Sequence, residues 1–214
     1  MHNLWEALQE GGWGMYPILF WSIMEIGIIV ERSLYLFGSS INKDMFLATM
    51  QKCILAGDVG RAIKMCSAAQ APLARIVKAG LMKVNRPDAE VQAAMDESAL
   101  RELPKLEART GYLALLANLA MLAGLLGTVS GLISAFGAVA NADASSKATM
   151  LAKGISEAMN CTAFGLLAAI VALIGFALLQ GKTQNLLDDI NGATVQVVNL
   201  VVSNRSKINI QAAA

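Results

Sequence analysis

The sequence has one histidine, His2, and three cysteines, Cys53, Cys66 and Cys161, no two of them at metal-ligand spacing. Neither a metal site nor a disulfide framework is expected from such a set. A nucleophile–base set and a phosphate-binding loop are also missing, so the chain does not read as an enzyme and calls for no cofactor. Charged residues make up only 15% against 56% apolar ones, which does not suit a soluble domain. The net charge is +1, and no nucleic acid partner is expected. Repeats, low-complexity tracts and strand-like alternation are absent as well.

Long apolar runs take their place. A hydrocarbon core of about 30 Å is crossed by roughly 20 apolar residues in a helix. Three segments qualify, from about Trp13 to Phe37, Tyr112 to Val139 and Ile155 to Leu179. The stretches Thr110–Ala142 and Ala158–Gly181 carry no charge at all. The fold class expected is therefore all-α: a polytopic membrane protein of three transmembrane helices with long cytoplasmic helical extensions. Of the 17 Lys and Arg residues, 12 fall between Arg32 and Arg109, 3 after Gly181, 2 between Ala140 and Lys153, and none before the first apolar run. The positive-inside rule then places the Arg32–Arg109 segment and the tail in the cytoplasm, and the N-terminus and the loop near Asn141–Ser146 on the other side.

Residues 1–12 carry Glu6 and Glu10 but no Lys or Arg, the reverse of a secretory leader; Leu4, Trp5 and Leu8 read as an interfacial helix. The first span follows at 13–37, introduced by Gly11-Gly12 and Pro17 and ending at Glu31-Arg32. The cytoplasmic region, 38–109, is helical and amphipathic, broken at Gly57-Asp58, Pro72 and Pro87. Asp88 is a candidate N-cap for a helix that feeds into the second span and is kinked by Pro104. The second span covers 110–140, a short loop 141–153 and the third span 154–181. In the tail, 182–214, Leu186, Leu187, Ile190, Val197, Val198 and Val201 continue an apolar stripe suited to packing against the Pro87–Arg109 helix, and residues from Asn204 look frayed.

Two polar spots interrupt the apolar runs. In the second span Gly124, Gly127, Gly131 and Ala135 share one side, and Thr128 and Ser130 lie among them. In lipid such a small-residue face permits close helix packing, and the hydroxyls have the alternative of bonding only the carbonyls of their own helix. In the third span Glu157 shares a face with Asn160 and Cys161. It is either an interfacial carboxylate near Lys153 or part of a polar path, since intramembrane acids usually face protein or water. Thr162 lies about 140° away on an ideal helix, aligned with Gly165, Leu166 and Ala169, so it and Glu157 have different jobs. Glu25, deep in the first span with Ser22 and Ile29 on its face, either faces a neighbouring helix or lies close to Arg32 through the bend of the helix end, and a structural role is expected of it.

The run Gly124-Leu125-Leu126-Gly127-Thr128-Val129-Ser130-Gly131, followed by Gly154-Ile155-Ser156-Glu157-Ala158 and Thr162, resembles the MotA/TolQ/ExbB proton-channel family. The likeness extends to Gly57-Asp58, Pro72-Leu73-Ala74-Arg75 and Ala79-Gly80-Leu81, and the three spans favour its ExbB/TolQ side. The resemblance implies a homopentamer whose second and third helices surround the membrane helices of an ExbD/TolR-like single-span dimer. The titrating aspartate then belongs to the partner. Thr128 and Thr162 match the family's pore-lining threonines and Glu157 its third-helix glutamate; Ser130 and Asn160 are additional candidates, and Gly124, Gly127, Gly131 and Gly165 serve packing. Met121 and Val171 stand where many relatives have proline.

The function implied is a motor subunit of the bacterial inner membrane that is driven by the proton-motive force and does mechanical work at the cell envelope, in outer-membrane transport, envelope maintenance or gliding. A passive helical scaffold and a stand-alone ion channel are the competing classes.

Overall fold

The computed structural model describes residues 12–140 and 143–205. Leu4, Trp5 and Leu8 of the expected interfacial helix lie outside the described residues, as do residues 141–142 of the short loop and 206–214 of the tail. The described residues form seven helices and no strand: α1 (Met15–Ser39), α2 (Lys43–Leu55), α3 (Val59–Ala68), α4 (Pro72–Leu81), α5 (Asp88–Glu107), α6 (Thr110–Ala140) and α7 (Lys147–Ser203). Two helical stretches, Asp88–Ala140 and Lys147–Ser203, are long and apolar enough to cross a membrane. The helix α1, where the first span is expected, has 25 residues but is interrupted by Glu25, Glu31 and Arg32, and it is not one of those two.

The chain divides into two compact units. The first comprises the described residues up to Arg32 together with Arg109–Leu179. Its core is built from small side chains: Ala117, Ala120, Ala168, Ala169 and Ala172 are buried, with Met15, Ile18 and Cys161 among them. Small residues let helix backbones approach closely, which is the main source of association where apolar burial between helices gains little. Leu113 and Leu116 are buried as well, but many large apolar side chains point the other way. Leu122, Leu125, Leu126 and Phe136 of α6, and Leu167, Ile170 and Ile174 of α7, are all more than half exposed. So extensive an apolar surface requires lipid or other protein to cover it. At the edge of this unit Arg109 pairs with Glu31 at 2.6 Å.

The second unit comprises Ser33–Ala108 and the chain from Gln180. Turn chemistry sets its helices. Asn42 caps α2 by accepting from the Met45 N–H at 3.1 Å, and Asp58 caps α3 by accepting from the Arg61 N–H at 2.8 Å. Gly57 precedes it with φ +75°, a conformation that glycine adopts without steric cost. Pro72 opens α4, where its missing N–H costs no hydrogen bond. Ile76, Val77 and Leu81 of α4 and Val91, Met95 and Leu106 of α5 are fully buried. Among them lies Glu102, buried and held by Lys105 at 2.6 Å and Arg75 at 3.0 Å. From α7, Leu186, Leu187, Ile190, Val197 and Val201 join this core, and Lys43 pairs with Asp189 at 3.0 Å.

Two expectations for α5 are corrected. The N-cap position is taken by Pro87, with extended backbone, while Asp88 is the first helical residue and makes no cap bond. Its carboxylate instead receives the Arg205 guanidinium, which also donates to the Arg86 carbonyl, so the chain at Arg205 is tied down rather than frayed. Nor does α5 feed unbroken into α6. Pro104 is accommodated within α5, and the helix ends only at Ala108, whose backbone is extended. Arg109 follows with φ +63°.

Candidate functional site

The site is set by the register in which α6 and α7 pair antiparallel within the first unit. A Cβ built on Gly124 would stand 3.0 Å from the Cys161 carbonyl oxygen and 3.2 Å from the Gly165 Cα. One on Gly165 would stand 2.8 Å from the Ala120 carbonyl oxygen, and one on Gly131 3.1 Å from the Ala158 Cβ. These neighbours are mostly backbone and cannot swing aside. The four glycines singled out by spacing, Gly124, Gly127, Gly131 and Gly165, all lie in this contact, and Gly14 of the chain leading into α1 packs on Gly127.

The close approach brings the two threonines together. Thr128 Oγ1 and Thr162 Oγ1 are hydrogen-bonded to each other across the helix pair. Thr128 Oγ1 is also 3.1 Å from the Gly124 carbonyl and 3.2 Å from the Ala158 carbonyl, and Thr162 Oγ1 is 3.3 Å from the Gly124 carbonyl. Two hydroxyl protons therefore serve three acceptor directions. Each hydroxyl oxygen has two lone pairs, so the pair can donate to an anion or accept from a neutral acid after a small rotation of its protons. Both residues are half-buried.

Glu157 lies elsewhere, as its angular separation from Thr162 indicates. It is half-buried and packs against Gly12, whose φ is +60° and whose missing side chain leaves room for the carboxylate. A cavity of about 230 Å³ opens in front of it, lined among others by Ser130, Ser134, Lys153, Gly131 and Cys161. Ser130 donates to the Gly127 carbonyl of its own helix at 3.1 Å. Asn160 is half-buried and does not line this cavity.

Ser134 and Trp13, which also lines the cavity, escaped the sequence reading. The spacing of Ser130 and Ser134, one helical turn apart, is the signal that was available. Glu25, expected to be structural, is 1% exposed, and its Oε1 has no hydrogen-bond partner among the described residues. Those residues contain no cluster of three potential metal ligands.

Comparison with known proteins bears on the same stretch of chain. A profile of the MotA/TolQ/ExbB proton channel family matches residues 68–191, which include Thr128, Glu157 and Thr162. The chain is 30% identical over 194 residues to the ExbB-like 1 protein of Synechocystis sp., covering 87% of this chain and 74% of that one. It is 34% identical over 124 residues to the Tol-Pal system protein TolQ of Pseudomonas aeruginosa, covering 53% of each. It is 26% identical over 187 residues to an ExbB homolog of Methanothermobacter thermautotrophicus, covering 86% of this chain and 66% of that protein.

Proposed function

Because the chain belongs to the MotA/TolQ/ExbB proton channel family, and is a membrane protein rather than an enzyme, we propose that it is the ring-forming subunit of a motor driven by the proton-motive force. Five copies surround a dimer of an ExbD/TolR-like single-span protein, and that partner brings the titrating aspartate. The observation that carries this reading is the hydroxyl pair of Thr128 and Thr162, set in two charge-free apolar stretches. Hydrocarbon offers such groups no partner, and the chain supplies no acid of its own beside them.

The mechanism follows from what a hydroxyl pair does. Facing a charged aspartate, Thr128 and Thr162 donate; facing the neutral acid, they accept its proton in a hydrogen bond. Moving one charge across 100 mV releases about 2.3 kcal/mol, several times thermal energy. That is enough to bias the position of a central dimer whose aspartate alternates between the two forms. Glu157 and the Ser130–Ser134 cavity form the mouth through which water and protons enter. Three spans cross the bacterial inner membrane, drawn from α1, α6 and α7, with the N-terminus outside and the second unit in the cytoplasm. The force leaves through the partner and serves outer-membrane transport, envelope maintenance or gliding.

A purely structural role for the hydroxyls has one observation in its favour. Thr128 and Ser130 both lie within bonding distance of carbonyls of their own helix. The two readings part on the Thr128→Val and Thr162→Val variants, which keep side-chain shape and lose the hydroxyl. The motor reading expects normal ring assembly with energy transduction lost in both. Full transduction in both variants leaves only the scaffold.

A further inference from the structure

A second site lies in the first unit, away from the threonine pair and the Glu157 cavity. Between α1 and α7 is a cavity of about 150 Å³, lined by Ser22 and Glu25 on one side and by Phe164, Leu167, Ala168 and Val171 on the other. Glu25 is 1% exposed and its Oε1 has no hydrogen-bond partner among the described residues. Among the described residues, none lining this cavity carries positive charge, and the α7 stretch Ala158–Gly181 and the whole of α6 contain no Lys, Arg, Asp or Glu. On its own helix the nearest charged residues are Glu31 and Arg32, six and seven positions on, about 9 and 10.5 Å along the axis.

We propose that Glu25 is a proton-binding site inside the membrane, a neutral carboxylic acid in a cavity that small lipophilic molecules can enter. A carboxylate in these apolar surroundings, with no cation lining its cavity to share its charge, costs more than taking up a proton. The neutral acid also uses what is present. Its O–H needs one acceptor, and the Ser22 hydroxyl lines the same cavity. This carboxyl is set apart from Glu157, whose cavity is also lined by Lys153, Ser130 and Ser134. The inference rests on α1 lying in the membrane and is independent of the motor reading.

The test uses the intact protein in native membranes and the probe dicyclohexylcarbodiimide, a lipophilic reagent that reacts with protonated carboxyls. Peptide mass spectrometry is expected to find the adduct on Glu25, falling as pH rises. A water-soluble carbodiimide is expected to leave Glu25 unmodified. Val171→Phe, at the partly exposed rim of the cavity, should abolish the adduct with Glu25 still in place. Infrared spectra of wild type and Glu25→Gln decide the protonation itself, because glutamine has the shape of the neutral acid and should fold. Loss of a protonated-carboxyl C=O band in Glu25→Gln supports the proposal; identical spectra in that region overturn it. Labelling by the water-soluble reagent overturns it as well.

Discussion

Thr128 and Thr162, 34 positions apart in the chain, share a hydrogen bond between their side-chain oxygens, and both reach the Gly124 carbonyl. The contact exists because glycine at 124 and 165 lets α6 and α7 approach until the threonine side chains meet. Small-residue packing and the meeting of the two hydroxyls are thus one arrangement.

Gly124→Val and Gly165→Val are therefore expected to damage the site through its backbone. A new Cβ at either position meets fixed carbonyl or Cα atoms at 2.8–3.2 Å. Overpacking of this kind costs about 1–3 kcal/mol. Thermal unfolding of the detergent-solubilised protein should show the loss, while Gly137→Val, where a side chain meets nothing within 4 Å, should leave the transition unchanged.

Glu102 makes stability depend on pH. Burial pushes its carboxyl up, but the hydrogen bond from Lys105 and the charge of Arg75 outweigh it and hold it below the usual carboxylate range. A carboxyl depressed by folding stabilises fully above its unfolded value of about 4.3 and loses that contribution as pH falls through the folded value. Glu102→Gln should cost about 1–2 kcal/mol at pH 7. The gap to wild type should narrow below about pH 4, measured by denaturant unfolding across pH.

Cys66 provides a probe of the second unit. Burial raises its thiol to about 11, against a smaller opposing effect of Lys78. Since the thiolate is the nucleophile, alkylation of Cys66 in the folded protein should be slow at pH 8 and accelerate towards pH 11, whereas denaturation should make it react at once. Fast labelling of the native protein at pH 8 would contradict the packing described.

Much of this was legible in the sequence, for identifiable reasons. Gly57-Asp58, Pro72 and Pro87 break helices because each fixes a backbone geometry or removes a donor locally. The small-residue face of α6 and the separate settings of Glu157 and Thr162 follow from helical spacing alone. What spacing cannot give is register across helices, so the meeting of Thr128 with Thr162 needed the fold. Asp88 shows the limit of cap rules, since its carboxylate is claimed by Arg205, 117 positions away. The break before α6 falls at Arg109, a positive-φ residue with no glycine to mark it. Burial of Glu102 was invisible too, because a charged residue in an amphipathic helix reads as exposed unless its neighbours in space are known.

Gly12 ties the start of α1 to the mouth of the Glu157 cavity. Its positive φ disfavours a side chain, and a Cβ there would force the Glu157 carboxyl aside. Gly12→Ala should displace Glu157 and reduce transport to the level of Glu157→Gln, with the double variant no worse than either single one. Additive losses in a transport assay would show that the two residues act separately.

Proton uptake into liposomes containing the ring with its aspartate-bearing partner is the most direct measurement. With a membrane potential imposed, wild type should take up protons, and Thr128→Val and Thr162→Val should each reduce uptake at least tenfold, a barrier increase of about 1.4 kcal/mol. Undiminished uptake by both variants, or equal uptake by this chain without the partner, would contradict the account.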